Sequence, residues 1–328
     1  MTRTVTVVAA LLTLSLALNP FSLSAQDAAS EPGAPASSPA VLDPLKVALL
    51  KWYGANTTTS FAVGKEPRGV CFDGANIWVA NYGSNTVTKL QANDGTVLGT
   101  YAVGTEPANV AFDGANIWVT NYGSSNITKL RASDGTVLGT FPAGPTPFGL
   151  AFDGANIWVG NGGAVTKLRA SDGEILGTFS DAGQCYGIAF DWTYIWATNG
   201  NAGTITRFKL SGANAGVFTP GSAGVPWGMA FDGANIWVAD LEAQGMLIKL
   251  RASDGAVLGS FLVGSGPYGV VFDGSYVWVT TGNNVAQVRP SDGAILHTYN
   301  TSGNSSGIAF DGANLWVAEY DVNSISKM

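Results

Sequence analysis

FDGANIWVANYGSNTVTKLQ at residues 72–91 returns about forty residues later as FDGANIWVTNYGSSNITKLR at 112–131. More degenerate copies start at Phe152, Phe190, Phe231, Phe272 and Phe310, and the matching tryptophans are Trp78, Trp118, Trp158, Trp196, Trp237, Trp278 and Trp316. Self-similarity at a period of about 20–50 residues marks a repeat architecture. Within a unit, short segments rich in Val, Ile, Thr and aromatics lie between turn signals and read as four strands. In the first unit these are roughly 68–72, 76–81, 86–91 and 96–103. Asp73-Gly74 and Asp94-Gly95 supply tight turns, which need residues that tolerate a left-handed backbone. Four-stranded antiparallel units of this length are blades. The fold class expected over residues 54–328 is therefore an all-β, seven-bladed β-propeller.

The seventh unit reaches Met328, the position of Leu90 in the first, without its fourth strand. Ahead of the first blade, GANTTTSFAVGKEP at 54–67 aligns with DGTVLGTYAVGTEP at 94–107. An N-terminal strand over 58–63 is thus expected to complete the last blade and cover its open edge.

Composition agrees with one all-β domain: 43 Gly and 10 Trp, with only 12% charged residues, favour turns and core over helix. The N-terminus has the order of a secretory signal peptide over 1–25, with an apolar run from Val5 to Leu18 and small residues at Ser22, Ser24 and Ala25. The run is shorter than the ~20 apolar residues that span a bilayer. Cleavage near 24–26 is expected, giving a secreted or periplasmic protein with no transmembrane segment in its mature form. Residues 26–53 read as a Pro/Ala/Ser-rich linker with a possible short helix over 43–53. Cys71 and Cys185 fall three blades apart, too far for a bridge, and are expected to be mostly buried thiols. A net charge of −7 argues against nucleic acid, whose binding needs a basic surface.

Comparing blades within the chain separates scaffold from candidate site. The seven tryptophans recur everywhere and read as core. So do the first-turn aspartates Asp73, Asp113, Asp153, Asp191, Asp232, Asp273 and Asp311, expected to bond nearby backbone amides. Two positions at one rim vary instead. At the connection between blades the series is Arg68, Ala108, Phe148, Tyr186, Trp227, Tyr268 and Ser306. Ending the second strand it is Asn81, Asn121, Asn161, Asn199, Asp240, Thr281 and Glu319. An aromatic arc with amide and acid groups suits a pocket for a small molecule, a glycan or a peptide. The candidate ligand-binding residues are Arg68, Phe148, Tyr186, Trp227, Tyr268, Asn81, Asn121, Asn161, Asn199, Asp240 and Glu319. The bland counterpart is a set of side chains that merely plug the channel.

IWVANYGSNTVTKL resembles the YVTN-type and NHL-like propeller repeats, and LWVAEYDVNSISKM resembles the blade signature of the streptogramin B (virginiamycin B) lyases. The lyase resemblance implies a metal-assisted elimination that opens a cyclic depsipeptide, with histidine as base and an acidic partner. Only Glu319 matches part of that pattern. The single histidine, His297, stands where Gly99 does in the first blade, on an outer strand. LRASDGTVLGT also resembles the outer-strand motif of quinone-dependent dehydrogenase propellers, but Gly99, Gly139 and Gly177 replace its tryptophan. The reading taken is a monomeric, non-catalytic binding module without cofactor or metal. The alternative is a lyase or hydrolase at the same face, with Asp240 and Glu319 as its carboxylates.

Overall fold

Each repeat unit runs outward from the channel, and burial follows that direction. In the first blade the inner strand β2 spans Pro67–Phe72, followed by β3 (Asn76–Asn81), β4 (Thr86–Gln91) and the outer β5 (Val97–Ala102); β1 (Thr59–Ala62) precedes them. The computed structural model describes residues 59–328 apart from 222–223, 242–243 and the side chains of 181–182. The expectations for the signal, the linker, the helix over 43–53 and residues 54–58 lie outside the described residues. Strands β3 and β4 are enclosed almost end to end because blades cover both of their faces, whereas β5 is mostly exposed. This is why NIWVAN reads as a continuous core run and VLGTYA does not.

Seven four-stranded antiparallel sheets result. Between each pair of blades lies an apolar layer, and each of these layers contains one repeat tryptophan. Six of the seven rings are wholly enclosed and Trp278 nearly so. The Nε1 of each of these seven tryptophans donates to the first-turn aspartate of its own blade, at 2.6–2.8 Å. The other carboxylate oxygen accepts the amides two and three residues on, as with Ala75 and Asn76 on Asp73. One aspartate thus closes the turn and satisfies the only polar atom of the buried ring.

A second device joins neighbouring blades. Lys89 lies over its own Trp78 and donates through Nζ to the carbonyls of Ala132 and Ser133, in the third-to-fourth turn of the next blade. Lys129, Lys167, Arg207, Lys249 and Lys327 repeat this reach. The sixth blade has Gln287 there. Its neighbour, the seventh blade, takes its fourth strand from β1, so among the described residues no third-to-fourth turn faces Gln287.

β1 pairs antiparallel with Ser324–Lys327 in the register Thr59↔Lys327 to Ala62↔Ser324, so the expected closure is present. Phe61 stacks on Trp316 at 5.7 Å, as Tyr101 does on Trp78. Phe61 also covers Gly95 of the first blade, where any Cβ would collide with its ring, and Tyr101 covers Gly135 in the same way. Cys71 and Cys185 sit on different blades and form no disulfide; burial, then the Asp73 charge, pushes the Cys71 thiol up.

Candidate functional site

Inner strands converge on the channel only because small residues let them. A Cβ at Gly187 would meet the Trp227 carbonyl of the next blade, and one at Gly228 would meet that of Tyr268. In four blades the inner strand slips register across this glycine. The irregularity falls at Pro67/Val70, Pro226/Met229, Pro267/Val270 and Ser305/Ile308. Such bulges re-aim a side chain, and the residues at this point, Arg68, Trp227, Tyr268 and Ser306, all border the cavities at the mouth.

The four aromatics come together as one cluster. Tyr186 and Trp227 stack at 3.7 Å with planes 10° apart. Phe148 meets both edge-on, at 5.6 and 5.5 Å, and Trp227 continues to Tyr268 at 5.1 Å. Sequence comparison missed two further members. Tyr122 joins Phe148 and Tyr82 joins Tyr122, and the Arg68 guanidinium lies 3.7 Å over the Tyr82 ring. Both tyrosines directly follow an Asn of the rim series, in the motif Asn-Tyr-Gly, so their placement on the rim was readable. Burial, then a hydrogen bond to Glu106, pushes the Tyr82 hydroxyl up to about 12. Burial likewise raises Tyr186 and Tyr268.

Because the rings pack on one another, they narrow the centre over blades three to six. The space on the axis, touched by all seven inner strands, is about 170 Å³. A larger cavity of about 440 Å³ opens off-centre and is lined by Arg68, Trp227, Leu241, Tyr268, Ser306 and Tyr320, with Gly266, Gly282, Asn304 and Ser305. It lies toward blades five to seven, where the small Ser306 replaces an aromatic and its Oγ is turned back to the Pro67 carbonyl. Two polar atoms of its wall residues, Trp227 Nε1 and Tyr268 Oη, are closed off and form no well-aligned hydrogen bond.

The amide and acid series does not share this surface. Asn81, Asn121, Asn161, Asn199, Asp240 and Glu319 are all enclosed, and none lines either cavity at the mouth. Asn81 accepts the Gly64 amide and donates to Thr86 and Thr88. Asn121, Asn161 and Asn199 likewise donate to third-strand side chains. Glu319 occupies the equivalent place and accepts from the Ser302 amide at 3.0 Å and the Ser324 and Ser326 hydroxyls at 2.6 Å each. These residues lock the second strand to the third and to the incoming connection. The expectation that they supply polar groups to the pocket is corrected on that ground: their side chains face the blade interior. The pairing of Asp240 with Glu319 as catalytic carboxylates meets the same obstacle. His297 is exposed on the outer strand Ile295–Asn300, and among the described residues no group of three or more His, Cys, Asp or Glu could hold a metal ion.

No protein-family model matches the sequence, and no curated protein matches it. Solved structures do. A streptogramin B lyase superposes with a TM-score of 0.72 at 20% identity, covering 83% of this chain and 96% of its own. A catalytically inactive histidine-to-alanine variant of Staphylococcus aureus virginiamycin B lyase with quinupristin gives 0.71 at 19%, covering 83% and 98%. Kuenenia stuttgartiensis hydrazine synthase gives 0.70 at 16%, covering 80% and 95%. A lyase and a hydrazine synthase share this architecture with the chain at low identity, so what it has in common with them is the seven-bladed propeller fold.

Proposed function

We propose that this is an exported, non-catalytic binding propeller whose ligand face is the aromatic mouth, centred on the off-axis cavity beside Trp227 and Tyr268. The observation that carries the reading is that cavity. At about 440 Å³ it falls within the ~300–1,000 Å³ of small-molecule sites, and its wall combines the aromatic Trp227, Tyr268 and Tyr320 and the aliphatic Leu241 with the polar Arg68, Asn304, Ser305 and Ser306. A small molecule or a short glycan or peptide end fits it better than an extended partner. The repeat signature IWVANYGSNTVTKL supports a YVTN-type or NHL-like propeller. The streptogramin B lyase likeness supports the same face as the place of binding, and the engagement of Glu319 by three donors speaks against its use as a catalytic acid or base.

A thermal-shift screen of the purified protein against glycans, short peptides and small aromatic molecules tests this, because a ligand specific to the folded state raises the melting temperature. A hit whose shift disappears in Trp227→Ala supports the reading. Hits that survive both Trp227→Ala and Tyr268→Ala would place binding elsewhere. Export is tested separately by N-terminal sequencing of the extracytoplasmic protein, which should begin near residues 24–26.

A further inference from the structure

Arg68 is the one charged residue in the wall of the off-axis cavity, which it shares with the polar Asn304, Ser305, Ser306 and Tyr320. Arg68 offers donors only, and so does the Trp227 indole, and both approach the Tyr268 oxygen. Arg68 makes no ion pair among the described residues, although the protein as a whole carries a net charge of −7. Its guanidinium is held instead by the face of Tyr82, a contact that fixes its plane without neutralising its charge. Among the described residues no carboxylate lines the cavity, and Glu106 accepts from the Tyr82 hydroxyl. Asp321 accepts the Asn304 amide and side chain at 2.7 Å each, and Asp240 is enclosed. The polar atoms of Ser305 and Ser306 are likewise spent on backbone carbonyls.

We propose that this cavity recognises a planar, apolar monocarboxylic acid: its carboxylate pairs with Arg68 and its ring or chain lies against Trp227, Leu241 and Tyr320. The inference rests on the mouth being the ligand face and goes beyond it by naming the ligand's charge. A guanidinium fork matches a carboxylate in two parallel hydrogen bonds. One cation with no second beside it fits a single negative charge rather than a dianion. Trp227 Nε1 and Tyr268 Oη form no well-aligned hydrogen bond, although Trp227 and Arg68 both lie close enough to the Tyr268 oxygen to interact with it, and a carboxylate at Arg68 would offer these donors a stronger acceptor. Burial raises the Tyr268 pKa, which keeps the phenol a neutral donor.

Calorimetric titration with 2-naphthoate and its uncharged counterpart 2-naphthamide tests the proposal. The acid is expected to bind about ten-fold or more tightly than the amide, the ratio of one charge-assisted contact. Arg68→Gln should bring the two affinities together, and Arg68→Lys should keep part of the preference. Melting curves of both variants check that the fold survives loss of the Tyr82 contact. Equal affinities for acid and amide, both lost in Trp227→Ala, would overturn the charge selection while leaving the mouth as a binding face. A preference for the acid that persists in Arg68→Gln would overturn the assignment to Arg68. Binding of neither probe would overturn the inference, and the binding-face reading would then stand or fall on the thermal-shift hits.

Discussion

Trp227 shows how a single side chain can be read two ways from sequence and only one way from its surroundings. It stands where Ala108 or Ser306 stands in other blades, so the scaffold does not require a large ring there. Yet one face is covered by Tyr186, and the residue also borders the cavity. Trp227→Ala is therefore expected to cost less than the about 3–5 kcal/mol of a fully enclosed ring and to weaken a bound ligand by about 2 kcal/mol or more, as an interface anchor does. Melting and titration of the same variant decide this; a full core-sized loss of stability with unchanged affinity would make the ring a plug. The repeated aspartates respond to pH instead. In Asp113, Asp153, Asp232 and Asp311, burial pushes the carboxyl up, but bonds from the indole, the turn amides and the neighbouring Asn outweigh it and leave the pKa below the usual 3.8. A carboxylate depressed in the folded state contributes stability that is present above its unfolded pKa and is lost as pH falls through the folded one. The melting temperature should therefore hold down to about pH 4 and then drop. Asp113→Asn should be less stable at neutral pH and show a shallower acid decline, and an unchanged decline would show that these turns do not govern it. Repetition made the aspartates legible as turn residues. Their bond to the tryptophan five residues on was not legible, because spacing along a chain does not show which side of a hairpin an indole nitrogen faces. The buried Asn series misled for a related reason: a position that varies at a rim was taken to face the rim.

The strands themselves were largely readable, since turn dipeptides bracket apolar segments of nearly constant length; the first blade differs from expectation by a residue at its ends. Less visible was what holds one blade to the next. The Lys89 series recurs in the sequence as plainly as the tryptophans do, but its partners are backbone carbonyls forty-odd residues away, and a carbonyl has no signature in a sequence. Lys89→Met should destabilise the protein by about 1.5–3 kcal/mol, the worth of a hydrogen-bonded charge in an enclosed site. Gln287→Lys is expected to bring no gain, because a cation there would lack the turn it needs. Denaturant unfolding of the two variants compares them directly, and stabilisation by Gln287→Lys would show that another acceptor lies within reach.

As a whole, the ring depends on β1. Deleting residues 26–42 should leave solubility and melting unchanged, whereas deleting 26–64 removes β1 and bares the edge of Ser324–Lys327, inviting aggregation. Equal behaviour of the two truncations, followed by scattering and melting, would show that closure is dispensable. The closure was foreseeable because a missing strand at one end of the repeat was matched by a spare one at the other. The shape of the mouth was not, since it arises from how four rings from four blades settle against one another, and the vacancy beside Ser306 follows from their mutual packing. The meeting of β1 with Ser324–Lys327 also means that this domain has no obligatory beginning. Met328 could be joined to Gly54 through a linker of about three residues, the length of Gln91–Asn93, and the chain reopened between the exposed Asn93 and Asp94. Such a circular permutant would keep all seven blades while building, for the first time, a third-to-fourth turn opposite Gln287. In that rewired molecule, and not in the parent, a lysine at 287 would find carbonyls to hold.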